Sequence, residues 1–73
     1  MVDESNSQAL KDKIDQLNKH AWENRVNDST IAHRLSRIAF ELAESINYTR
    51  GKAEGYRTFA FTLIRLSRHR EAL

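Results

Sequence analysis

Ile31-Ala32-His33-Arg34-Leu35-Ser36-Arg37-Ile38-Ala39-Phe40-Glu41-Leu42-Ala43-Glu44-Ser45-Ile46-Asn47 has two apolar edges. Ile31, Leu35, Ile38, Leu42 and Ile46 recur at steps of three and four, the period of one helical face. Beside them runs a small-residue edge, Ala32, Ala39 and Ala43, along which a neighbouring helix can come close. Asp28 or Ser29 can cap the start, because a side-chain oxygen there accepts from an otherwise orphaned backbone N–H. Asn47 suits the left-handed position that ends a helix.

Upstream, Leu10, Ile14, Leu17 and Ala21 repeat the helical spacing, and Trp22 and Val26 widen that face. This predicts a first helix over about residues 8–26, preceded by a disordered leader at 1–7. Downstream, a third helix is expected from near Thr49. Its stripe is Ala53, Tyr56, Phe59, Ala60, Leu63 and Leu66, with Phe61 and Ile64 beside it. A helix apolar over more than half its circumference packs on two sides. Ser67 falls where a turn is due, and Arg68-His69-Arg70-Glu71-Ala72-Leu73 reads as the start of a fourth helix. A core stripe beginning at Ala72 and Leu73 leads us to expect the N-terminal piece of a longer protein.

The fold class expected is all-α, an antiparallel helical hairpin plus a third helix. Proline is absent and glycine occurs only at Gly51 and Gly55, too few turn residues for a sandwich or barrel. The expected core is Leu17, Ala21, Leu35, Ile38, Ala39, Leu42, Tyr56, Phe59, Ala60 and Leu63. With 73 residues the chain holds one domain at most, and a domain that small buries only about 60% of its unfolded surface.

Without cysteine there is neither a disulfide nor a thiolate metal site, which fits a reducing compartment. No apolar run reaches the roughly 20 residues that span a bilayer, and the polar start is not a secretory signal, so the default location is the cytoplasm. The charge is uneven. Residues 1–49 carry six Lys/Arg against eight Asp/Glu, and residues 50–73 carry six against two. A basic C-terminal third can attract an acidic partner or nucleic acid, or serve as a solvated face.

Self-similarity adds a further expectation. Ala21-Trp22 before a polar turn and Ile31-Ala32 after it parallel Phe59-Ala60 and Ala72-Leu73, at an offset of 39 to 40 residues. Gly55 through Leu73 resembles the stretch that opens a tetratricopeptide repeat and crosses its turn. Tyr56 takes the first large position, Phe59 the leucine position, Ala60 and Ala72 the small positions and Leu63 the tyrosine position. Ile38 through Glu44 looks like the second helix of a preceding repeat. Ser67 stands where the family has a turn glycine, His69 where it has tyrosine, and no proline closes the first repeat.

The resemblance implies that residues 8–73 form one repeat plus the first helix, and the start of the second, of the next. It also implies a protein-binding groove. Glu54, Arg57, Phe61, Ile64 and Arg65 would face that groove, flanked by Asp15, Asn18, Trp22 and Arg25. Apolar side chains there give area and arginines give charge-assisted bonds to a peptide or partner helix. Trp22 can equally be a core residue, and Phe61 and Ile64 can be buried against a further helix. Similar segments precede output domains in bacterial signalling proteins, which implies a regulatory or scaffolding role.

Catalysis is not expected, because no spacing groups a nucleophile with a base, and three helices do not enclose a small-molecule pocket. No cofactor is expected: there is no glycine-rich phosphate loop, and His20, His33 and His69 lack metal-ligand spacing. The expected partner is protein, with self-association as a homodimer, either pairing third-helix faces across a two-fold axis, where Phe61→Glu would release monomer, or exchanging a helix. The alternative is a small helix-turn-helix DNA-binding domain reading with Arg57 and Arg65, a role that the interleaved Phe61 and Ile64 oppose.

Overall fold

The computed structural model describes residues 4–72, and the side chains of residues 7–68. It contains three helices, α1 (Glu4–Glu23), α2 (Ser29–Ser45) and α3 (Thr49–Ala72). Short connections make consecutive helices antiparallel neighbours. The fold is therefore all-α, an α1–α2 hairpin with α3 laid along α2 and touching α1.

Side chains and backbone in the turns fix the helix ends. Asn24 closes α1, donating its backbone N–H (3.2 Å) and Nδ2 (2.9 Å) to the His20 carbonyl. Arg25 donates Nη1 to the Trp22 carbonyl at 2.7 Å, placing a cation where the helix dipole favours one. Asp28 caps α2, its carboxylate accepting from the Ile31 N–H at 3.2 Å. At the other end Asn47 adopts φ 56°. The Asn47 N–H donates to Glu44 O at 3.2 Å and the Tyr48 N–H to Ala43 O at 2.8 Å, the paired bonds of a Schellman ending. Tyr48, just past that ending, then packs on the core.

Two boundaries differ from expectation. The first helix begins at Glu4, so residues 4–7 of the expected disordered leader are helical; Met1-Val2-Asp3 lie outside the described residues. The third helix does not turn at Ser67 but runs on to Ala72, so the expected fourth helix is the end of α3. Serine followed by Arg68 and His69 contains no residue that stops a helix, as glycine or proline would. The side chains of His69 and Ala72, and Leu73 altogether, lie outside the described residues.

The larger correction concerns which side of α3 faces inward. Its buried residues are Gly51, Gly55, Thr58 and Thr62, at steps of four, three and four. They meet the buried residues of α2, Ala32, Ser36, Ala39 and Ala43, which have the same spacing. Small side chains on both helices bring the backbones together. A Cβ added to Gly55 would lie 3.1 Å from Ser36 O and 3.1 Å from Phe40 N. Ile14 of α1 closes this seam from the other side, with Leu10, Leu17, Leu42, Ile46 and Tyr48 partly buried around it.

Of the expected core, Ala21 and Ala39 are fully buried, and Leu17, Leu35, Leu42, Phe59 and Ala60 are half-buried. Ile38, Tyr56 and Leu63 are not core at all: they are 46%, 64% and 49% exposed. The α2–α3 backbones are too close to admit such side chains between them, so they turn outward. The interior is consequently small and partly polar. Thr62 Oγ1 donates to its own helix at Thr58 O and Phe59 O, both 3.0 Å, and lies in hydrogen-bond contact with His33 Nδ1 at 2.8 Å. Asn18 Nδ2 donates to Gly51 O at 3.1 Å, joining α1 to α3, while its Oδ1 is buried without a partner.

Candidate functional site

Where α1 ends, the chain turns beside the middle of α3, and most of the groove residues expected from sequence meet there. Trp22, half-buried on the last turn of α1, is the hub. The Arg25 guanidinium lies 3.8 Å from the indole centroid and that of Arg57 lies 3.9 Å from it. Two such groups fit over one ring only on opposite faces, so the indole is sandwiched. Phe61 meets Trp22 edge-on, with centroids 6.1 Å apart at 61°, and lies 5.7 Å from the Arg25 guanidinium. Each stacked cation is held by the negative face of the ring, worth about 0.5–2 kcal/mol depending on exposure.

Phe61, Ile64 and Arg65 continue along α3 as one wall of an open cleft of about 770 Å³. Its other wall is the α1–α2 turn, Val26 through Thr30. Among the described residues Arg25, Arg57 and Arg65 form no ion pair; the pairs found are Arg37–Glu41 and Arg50–Glu54, each 3.2 Å. Of the seven expected groove residues, Trp22, Arg25, Arg57 and Phe61 thus form one cluster, and Ile64 and Arg65 extend it along the cleft. Glu54 stands apart, engaged by Arg50. Neither flanking polar residue of α1 is available: Asn18 is buried on Gly51, and Asp15 accepts from the Tyr48 hydroxyl at 2.8 Å.

A second surface lies on the opposite flank, and sequence reasoning assigned its main residues to the core. Tyr56, Phe59 and Leu63 fall at steps of three and four, the spacing of a coiled-coil seam. Phe40 of α2 lies alongside. Phe40, Tyr56 and Phe59, with Arg37, Glu41 and Glu44, line a shallow cleft of about 370 Å³. His33 stacks on Phe59 with centroids 4.3 Å apart, which fixes that ring at the edge of the seam. The signal that separates this face from the core was present in the sequence: the Gly51–Gly55–Thr58–Thr62 spacing points to a different side of the same helix.

No three His, Cys, Asp or Glu residues come together among the described residues, and no helix among them is long and apolar enough to cross a membrane. The α2–α3 contact runs from Ala43–Gly51 to His33–Thr62. That is a side-by-side hairpin, not the steep crossing of a DNA-reading helix pair. Comparison with protein-family models, curated proteins and solved structures found no match.

Proposed function

We propose that this chain is a protein-interaction and oligomerisation module, and that it pairs with a second copy of itself through the outer seam of α3. One observation carries the proposal: α3 turns its glycines and threonines inward and Tyr56 and Leu63 outward, 64% and 49% exposed. The apolar area that would stabilise the fold lies on its surface, and such a patch marks an interaction site.

Charge favours a second copy on the Tyr56–Phe59–Leu63 seam. Arg37, Glu41 and Glu44 flank the seam with both signs of charge, so two copies related by a two-fold axis meet no single-sign barrier. Pairing through Phe61, by contrast, would bring Arg25 and Arg57 toward their own copies.

The tetratricopeptide likeness belongs to this proposal too. It rests on Gly55 through Leu73, where α3 continues to Ala72 without the family's turn, and on Ile38 through Glu44 of α2, the second helix of the α1–α2 hairpin. A regulatory or scaffolding place in a signalling protein is the setting that likeness suggests. Sedimentation equilibrium tests the pairing. The wild type is expected as a dimer, Leu63→Glu as a monomer of lower thermal stability, and Phe61→Glu as a dimer. A monomeric wild type, or a dimer lost with Phe61→Glu and kept with Leu63→Glu, refutes the seam.

A further inference from the structure

We infer that the Arg25–Trp22–Arg57 stack and the cleft beside it form a docking site for an acidic protein segment with large apolar side chains. This site lies on the opposite flank from the self-association seam and does not depend on it.

Stacking uses the flat face of a guanidinium and leaves its N–H donors free in the plane. Arg25 spends one of them on the Trp22 carbonyl at 2.7 Å, which also fixes its position. Arg57 is exposed, and among the described residues it has no carboxylate partner. One indole therefore holds two like charges ready to receive a carboxylate, with little side-chain freedom left to lose on binding. A carboxylate placed between their edges would accept charge-assisted hydrogen bonds and relieve their mutual repulsion. Arg65 extends the positive field along the cleft.

The rest of the cleft selects the kind of acidic partner. Val26, Phe61 and Ile64 are 48%, 38% and 54% exposed, and they offer apolar ground next to the cations. A segment with Glu or Asp beside Leu or Phe matches both features. Nucleic acid fits less well. Both faces of Trp22 are occupied by arginines, so no base can stack there. Nor does a two-fold second copy fit, because it would set cation against cation.

Trp22 is the one tryptophan of the chain, so its emission reports occupancy directly. The full chain is titrated with a short amphipathic peptide of Glu, Leu and Phe, with the same peptide carrying Gln for Glu, and with duplex DNA. The acidic peptide should shift Trp22 emission saturably and bind more weakly as salt is raised. The Gln peptide should bind at least about tenfold more weakly. Arg57→Gln should reduce acidic-peptide binding by a similar factor and leave the sedimentation mass unchanged, which separates this site from the seam. If Arg57→Gln alters the helix content, the two peptides on the wild type decide alone. No emission shift, equal binding of the two peptides, or tighter binding of duplex DNA overturns the inference.

Discussion

Gly55 lies against the backbone of α2, and the space around it predicts how a substitution behaves. Alanine is worth about 1 kcal/mol more than glycine in a helix interior. Here its Cβ would meet Ser36 O at 3.1 Å and Phe40 N and Cα at 3.1 and 3.2 Å, all backbone atoms of α2. Backbone yields only by shifting the helix, and overpacking of that kind costs about 1–3 kcal/mol. Gly55→Ala should therefore lower the urea midpoint of unfolding despite its better helix propensity. A raised midpoint would mean that α2 and α3 are farther apart than described. Tyr48 supplies a second residue-scale prediction. The hydrogen bond it donates to Asp15, together with its burial and the Asp15 charge, holds its phenol above the ordinary value of 10.0. A raised pKa favours the protonated form in the folded state. Its stabilising contribution is therefore whole below the unfolded pKa and is lost as pH rises through the folded one. The wild type should lose stability more steeply than Tyr48→Phe between about pH 9 and 11. Parallel curves would show that the bond contributes nothing.

At the scale of the element, helix periods, caps and the small-residue edge were legible in the sequence, and the inward face of α3 was not. Asp28 and Asn47 could be read as ends because their chemistry is local: one accepts an orphan N–H, and the other tolerates a left-handed backbone. Side-chain size ranks the interior of the α2–α3 seam wrongly. Ala39 and Ala43 mark a close-approach edge, but the set that faces them on α3 is Gly51, Gly55, Thr58 and Thr62, not Tyr56 and Leu63. Once two backbones approach this closely, a threonine whose hydroxyl bonds to its own helix buries more readily than a leucine. The end of α3 is hard to place for a related reason: the family pattern puts a turn at Ser67, yet neither glycine nor proline is present there to enforce it. The groove residues were better placed. Trp22, Arg25, Arg57 and Phe61 converge, since α1 and α3 run side by side in the same direction wherever two short turns join three helices. Glu54 falls to Arg50, four residues away on its own helix, which no groove argument would have anticipated.

For the whole molecule, the consequence is an interior poor in large apolar side chains and a surface rich in them. Among the described residues Ile14 is the one large aliphatic that is fully buried; the other fully buried apolar residues are alanines. Burying an isoleucine stabilises by about 1.5–3 kcal/mol, and a methyl contributes well under that, so the folded monomer has little in reserve against chain entropy. A second copy laid over the Tyr56–Phe59–Leu63 seam would supply the missing burial, and folding would then be linked to association. Thermal unfolding followed by circular dichroism over about a hundredfold range of protein concentration tests that linkage most directly. A melting temperature that climbs steadily with concentration is the predicted result. One that stays fixed across the range would contradict it and leave the outward-facing residues of α3 without the partner assigned to them.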